Sequence, residues 1–127
     1  MTPPHVALLY WEDCPSHAEA LTQLRRLLPE FGLDPQAIEL REILVLREAR
    51  DENFVGSPTI RVDGRDIAPV GDEPAALTCR LYRHRNGRYD PLPDDEDIRD
   101  ALRSSVREAG KPNAAPGDTE VPSETST

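Results

Sequence analysis

Two cysteines are the most reactive side chains in this 127-residue sequence, and the first, Cys14, is followed directly by Pro15. An apolar run ends just before Cys14, and an amphipathic helical pattern begins just after it. At the start of a helix, free backbone N–H groups and the positive end of the helix dipole favour a thiolate, which is the reactive form of cysteine. We therefore expect Cys14 to be a nucleophile rather than a small buried apolar residue.

The charged neighbours of Cys14 act on it in opposite directions. His17 lies one helical turn later, where an imidazolium would add to the stabilisation of a thiolate. Glu12 and Asp13 precede the cysteine, and their negative charge disfavours the thiolate. A dithiol Cys-x-x-Cys site would require a cysteine at position 17, so Cys14 cannot form a disulfide within its own turn.

The second cysteine, Cys79, is a candidate resolving thiol. Thiol exchange passes through a mixed disulfide that a second thiol must open. Cys79, a low-molecular-weight thiol or another protein could each supply that second thiol. A bond to Cys14 is excluded if the two Cα atoms lie more than about 7 Å apart. A buried structural role for Cys79 is the alternative, and the sequence leaves both open.

A third motif, Val55-Gly56-Ser57-Pro58-Thr59-Ile60, precedes a short β-rich segment. Proline has no N–H to donate, so it fits only the first position of a strand or an edge. If the Ser57–Pro58 bond is cis, the turn presents the amide and carbonyl of Ser57 to whatever lies opposite. Trp11 either shapes the rim around Cys14 or packs in the core.

Alternating strands and helices are predicted to hold these motifs. The pattern predicts strands at 5–11, 37–45, 59–62 and 65–68, helices at 15–31, 46–53 and 94–109, and a second hairpin around Asn86-Gly87. A helix between the first two strands requires a parallel crossover, and the Asp63-Gly64 turn adds an antiparallel edge strand. The expected fold is an α/β sandwich with a mixed sheet, in the order β-α-β-α-β-β-α, with a small hairpin before the last helix.

Composition and charge exclude several classes of function. The 24 acidic and 15 basic residues give a net charge of -9, which argues against nucleic-acid binding. The arginines at 80, 83, 85 and 88 are better interpreted as a solvated hairpin than as an anion site. No apolar run approaches the roughly 20 residues of a membrane span, and no secretory signal is visible. Two cysteines without a disulfide scaffold favour a reducing, cytoplasmic location.

The same patterns predict one domain at 1–109 and a disordered acidic tail at 110–127. The tail has Val121 as its only large apolar side chain. The spacing of histidines and cysteines matches no compact zinc site, and no phosphate-binding glycine loop is present, so we expect neither a metal nor a cofactor. The oligomeric state is not indicated.

Over residues 4–107, Cys14-Pro15 before a helix and Gly56-Ser57-Pro58-Thr59 before a strand resemble the thioredoxin superfamily. More narrowly, the chain is similar to a family of small thioredoxin-like proteins, some of them selenoproteins and some labelled alkylmercury lyases. The similarity is carried by Asp13-Cys14-Pro15, by residues 55–66 and by Cys79-Arg80-Leu81-Tyr82. It implies a thioredoxin-like fold, a cis Pro58 beside Cys14, and a Ser57 available to pair with a substrate backbone. The expected substrate-binding residues are therefore Ser57, Pro58 and Thr59, together with Trp11 if it shapes the rim.

The leading hypothesis is a thiol-redox protein that acts on a small thiol or a protein disulfide. Cys14 would be the nucleophile, His17 an electrostatic helper and Cys79 the resolving thiol. One alternative is organomercurial cleavage or soft-metal binding, in which two thiolates capture the metal and Asp13 delivers a proton. Another is a non-catalytic thioredoxin-like adaptor in which Cys14 is inert.

Overall fold

The strand that precedes Cys14 lies inside a four-stranded mixed sheet. The computed structural model describes residues 3–109. Strand β1 (Val6–Tyr10) pairs in parallel with β2 (Ile38–Glu42) and antiparallel with β3 (Thr59–Val62), and β4 (Arg65–Asp66) pairs antiparallel with β3. The strand order is therefore β2-β1-β3-β4. Because both faces of β1 are covered by packed side chains, its continuous apolar run is buried, as the sequence predicts.

The helices cover both faces of this sheet. They are α1 (Ser16–Leu27), α2 (Leu46–Asp51) and α3 (Asp95–Ala109). On one face, Val6 and Leu8 of β1 pack with the side chains of α1 and α3 in a cluster that includes Leu24 and Leu102. On the other face, Ala7 and Leu9 pack with a second cluster, whose remaining buried members are Ile43, Ala49 and Phe54. The alternation of side chains along β1 thus supplies both cores.

The first helix ends earlier than the predicted residue 31. A short 3₁₀ helix, Leu28–Phe31, follows α1 directly. Pro29 cannot donate a backbone hydrogen bond, so it ends the regular α-helical ladder at this point. Gly32 then takes a left-handed conformation at φ 71°, which is the stop that the sequence predicts.

The second strand is also shorter than predicted, because β2 is an edge strand that pairs only with β1. The register ends where β1 ends, with Tyr10 opposite Glu42. Ile43 then leaves the strand and enters the second core cluster, whereas Leu44 and Val45 are exposed. Strand β4 likewise stops at Asp66 rather than continuing to residue 68.

The predicted second hairpin is present and forms a separate two-stranded sheet. Its strands are β5 (Tyr82–Arg83) and β6 (Tyr89–Asp90), which pair antiparallel. Gly87 in the connecting turn has φ 88°, a conformation that favours glycine. The predicted tail, 110–127, lies outside the described residues. Within 3–109, none of the helices combines the length and the apolar character that crossing a membrane requires.

Candidate functional site

Cys14 lies in the loop between β1 and α1, and its side chain is completely buried. Its N–H donates to the carbonyl oxygen of Trp11 at 3.0 Å, which closes a turn at the end of β1. Pro15 already has helical angles, so α1 begins at the next residue. The Cys14 thiol donates to the carbonyl oxygen of Ser57 at 3.4 Å. The sulfur therefore faces the segment before β3 and is shielded from solvent.

The sulfur of Cys79 lies 2.6 Å from the sulfur of Cys14. The two residues are 65 positions apart in the chain, and Cys79 is exposed whereas Cys14 is buried. A disulfide needs about 2.05 Å between the sulfur atoms, so the thiols stand within a small adjustment of bonding. The structure thus brings together the two cysteines whose proximity the sequence left open.

Backbone hydrogen bonds to Ser57 place Cys79 at this position. The Ser57 N–H donates to the carbonyl oxygen of Thr78, and the Arg80 N–H donates to the carbonyl oxygen of Ser57, both at 2.8 Å. Ser57 and Cys79 consequently form a parallel bridge. The resemblance implies a Ser57 that is available to a substrate backbone, but both of its backbone groups are already bonded within the chain. In this conformation Ser57 does not bind a substrate strand.

The buried guanidinium of Arg80 anchors the cysteine segment. Its side chain is only 10% exposed and donates to Asp66 at 2.8 Å, to the hydroxyl of Thr59 at 3.1 Å and to the carbonyl oxygen of Ala68 at 2.8 Å. It also lies 4.6 Å from the centre of the Tyr82 ring. Removing one member of a buried ion pair leaves an uncompensated charge, so these contacts hold residues 78–80 firmly. The sequence suggested that Arg80 belongs to a solvated arginine hairpin. The structure instead places its side chain almost entirely out of solvent.

Gly56 allows the Arg80 segment to approach this closely. Its φ is 154°, and a Cβ built on it would lie 2.8 Å from the Cβ of Arg80. Any side chain larger than hydrogen at position 56 would clash with the backbone and the Cβ of Arg80, which is held tightly. The glycine of the Val-Gly-Ser-Pro motif is thus explained by packing against the cysteine segment.

Pro58 and Thr59 complete the support for Cys79 and are not reachable by a substrate. The Ser57–Pro58 bond is cis, the isomer that the resemblance implies. The carbonyl oxygen of Pro58 accepts a hydrogen bond from the Tyr82 hydroxyl, and burial raises the pKa of Tyr82, which keeps that donor protonated. Thr59 is buried, and its hydroxyl donates to the carbonyl oxygen of Gly56 at 2.8 Å. Their predicted role in contacting substrate is replaced by an internal one.

The side chains of Ser57 and Thr59 differ in their hydrogen bonding. Both residues are buried, but the Ser57 hydroxyl has no hydrogen-bond partner among the described residues. Burying an unpaired hydroxyl costs free energy. The structure gives no physical reason for a serine rather than an alanine at this position.

The ring of His17 contacts the backbone of Cys14 and its neighbours Tyr10 and Glu12. Its Nδ1 lies 2.7 Å from the Cys14 carbonyl oxygen, and its ring stacks on Tyr10 with 4.6 Å between centroids. Its Nε2 lies 4.0 Å from a carboxylate oxygen of Glu12. These contacts hold the cysteine loop against the end of β1, and the electrostatic role of His17 stays a prediction.

Trp11 is partly buried and packs against the core, which is one of the two roles that the sequence left open. It contacts the second core cluster, as do Ala75 and Leu77 of the segment leading to Cys79. Trp11 and this segment therefore pack against the same core cluster. Asp13 is exposed. This residue is the expected proton donor in the organomercurial alternative.

The close sulfur contact changes the acidity of Cys79. A hydrogen bond to Cys14 raises the pKa of the Cys79 thiol, with further contributions from desolvation and from negative charge on Cys14. In the reduced protein, Cys79 therefore holds its proton more tightly than an ordinary thiol does. Across residues 3–109, the histidine, cysteine and carboxylate side chains form no group of three or more that could hold a metal ion.

The sequence matches no protein-family model and no curated protein. The function is therefore inferred from the geometry of the site. That geometry includes one feature that the sequence analysis missed, which is a groove of about 520 Å³ beside Cys79. Its walls include Val55, Pro69, Leu81 and Tyr89. The available signal was a pair of large apolar residues, at 81 and 89, close to the cysteine and outside any predicted core.

Proposed function

We propose that the protein is a thiol-redox protein of thioredoxin-like fold in which Cys14 and Cys79 alternate between dithiol and disulfide. The observation that carries this proposal is the 2.6 Å separation of the two sulfur atoms. The fold assignment is supported by the placement of Cys14 between β1 and α1 and of Pro58 at the start of an antiparallel β3. The redox pair is formed by distant residues and not by a Cys-x-x-Cys turn.

The reaction exchanges two electrons and two protons. The dithiol reduces a disulfide R–S–S–R′, which leaves as two thiols, and the Cys14–Cys79 bond forms in its place. In the opposite direction, two external thiols reduce the protein disulfide and become oxidised to a disulfide themselves. Both directions pass through a mixed disulfide between one protein sulfur and one substrate sulfur.

The surroundings of the pair favour a redox role over a structural crosslink. Cys79 is exposed. Exposed disulfides are generally the labile ones, because an attacking thiolate can reach them. Residues 78–80 are held by the Ser57 backbone and by Arg80 through contacts that do not involve either sulfur. The segment therefore has the means to keep its place when the disulfide is reduced.

The proposal is tested by equilibrating the protein in glutathione buffers of increasing oxidation and then alkylating the remaining thiols. We expect wild type to lose both alkylation sites together and to gain no bound glutathione at equilibrium. The single variants Cys14→Ser and Cys79→Ser are matched controls, since each keeps one thiol and cannot form the internal bond. If wild type behaves as two independent thiols, the proposed function is wrong.

The same sulfur pair also supports a second candidate function, the capture of a soft metal ion such as Hg²⁺ as substrate. Two adjacent thiolates are the ligands that soft metals prefer. Titration with Hg²⁺ should then give one ion per wild-type chain, and Cys79→Ser should bind it much more weakly. Tight one-to-one binding that survives Cys79→Ser would exclude a two-sulfur site.

A further inference from the structure

The two cysteines differ in their exposure to solvent. Cys14 is 0% exposed, whereas Cys79 is an exposed residue. Cys14 is also covered by the segment 78–80, which is hydrogen-bonded to Ser57 on both sides of Cys79. Arg80 fastens that segment through a buried ion pair with Asp66. A substrate that approaches the folded protein therefore meets Cys79 first.

We propose that Cys79 is the sulfur that forms the mixed disulfide with substrate, and that Cys14 is the internal thiol that resolves it. This inference rests on the proposed redox function. It reverses the roles that the sequence suggests, in which Cys14 attacks and Cys79 resolves. The reversal follows from the long-range contacts that bury Cys14, before the start of α1, and leave Cys79 exposed.

The forward reaction is balanced as follows. The Cys79 thiol gives its proton to water, and the resulting thiolate attacks one sulfur of the substrate disulfide. The bond from Cys79 to substrate forms, the substrate S–S bond breaks, and the first substrate thiolate takes a proton from water. The Cys14 thiol then attacks the Cys79 sulfur, the protein disulfide forms, and the second substrate thiol leaves with the Cys14 proton.

Access also decides the order when the protein disulfide is opened. An attacking thiolate meets the exposed Cys79 before the buried Cys14. Its attack on the Cys79 sulfur breaks the internal bond and releases Cys14 as the internal thiol.

The groove beside Cys79 indicates the class of substrate. Cys79 itself lines this groove, where the apolar side chains of Val55, Pro69, Leu81 and Tyr89 lie beside charged residues that include Glu73, Arg83 and Asp97. Leu81 and Tyr89 are more than 60% exposed, at 63% and 66%. Burying exposed apolar surface is favourable, so a substrate with an apolar group next to its sulfur fits here better than a fully polar one. Such a substrate is a cysteine flanked by apolar residues in a peptide or protein.

The assignment of roles is tested with glutathione disulfide as the probe on Cys14→Ser and Cys79→Ser, with wild type in parallel. Serine is close in size to cysteine, and circular dichroism checks that each variant is folded. We expect rapid glutathionylation of Cys79 in Cys14→Ser. Modification of Cys14 in Cys79→Ser should be on the order of tenfold slower or more, because it must wait for local opening.

The outcomes separate the two proposals. If Cys14 is glutathionylated as fast as Cys79 while wild type still forms its internal disulfide, the reversed roles are wrong and the redox function stands. If wild type forms no internal disulfide, the proposed function itself fails. Fast modification of Cys79 alone, together with an internal disulfide in wild type, supports both.

The groove is tested with two reduced peptides that differ only beside their cysteine, one with leucine and phenylalanine there and one with serine. We expect the apolar peptide to open the wild-type disulfide faster, and Leu81→Ser to reduce this preference. Leu44→Ser is the matched control, because Leu44 is equally exposed at 63% but lies outside the groove lining. An unchanged preference in Leu81→Ser, or an equal loss in Leu44→Ser, would overturn the groove assignment.

Discussion

Oxidation of the sulfur pair is expected to stabilise the fold strongly, because the bond would close a long loop. Cys14 and Cys79 are 65 positions apart. Constraining a loop of this length in the unfolded chain contributes about 4 kcal/mol to the free energy of unfolding in the chain-entropy model. For a domain of this size, such a change corresponds to a rise of about 15–20 °C in the midpoint of thermal unfolding.

The assay is urea unfolding of the fully reduced and fully oxidised protein, followed by far-ultraviolet circular dichroism. We expect the oxidised form to unfold at higher urea and with a smaller m-value, since a crosslinked unfolded chain exposes less surface. Cys79→Ser serves as the control and should unfold identically under both conditions. Equal midpoints for the two forms of wild type, with the internal disulfide verified by mass, would refute the argument from loop closure.

Three further predictions concern residues around the pair. Ser57→Ala should be neutral or stabilising by about 1 kcal/mol, whereas Thr59→Val should be destabilising by about 1–2 kcal/mol. The reason is that, of the two hydroxyls, only that of the threonine has hydrogen-bond partners. Chemical denaturation of both variants checks this. Gly56→Ala should destabilise the fold by at least about 1–3 kcal/mol through the clash with the cysteine segment, and a midpoint equal to wild type would contradict that reasoning. A hydrogen bond from Arg61 lowers the pKa of Glu52. The ionised Glu52 therefore stabilises the fold at neutral pH, and this contribution is lost as the pH falls below the ordinary glutamate value of about 4.3. Glu52→Gln should flatten that part of the curve of unfolding free energy against pH.

Local patterns were sufficient to predict most of the elements. The run from Val6 to Tyr10 is apolar because the strand is covered on both faces, and this can be read directly from the chain. The bounds of β3 and the position of the Asn86-Gly87 turn follow equally local signals. The end of β2 could not be predicted, because it depends on where the neighbouring strand stops.

The site was predictable only in its parts. The sequence singled out Cys14, Pro58 and Cys79, but the contact between the cysteines depends on backbone pairing of Ser57 with residues 78–80. Such long-range pairing leaves no periodic signal in the chain. Arg80 shows the same limit, since an arginine near other arginines resembles a surface residue until its carboxylate partner is placed beside it. The exposure of each cysteine, on which the proposed roles rest, also arises only in the fold.

The pairing of Cys14 with Cys79 is tested most directly by tryptic mapping after mild oxidation without reductant. Cys14 falls in the tryptic peptide 1–25 and Cys79 in the peptide 66–80. We predict that these two peptides are recovered as one disulfide-linked species from monomeric protein and that dithiothreitol separates them. Recovery of the two peptides unlinked, with Cys14 or Cys79 oxidised to a sulfinic acid or bonded to a second chain, would contradict the account.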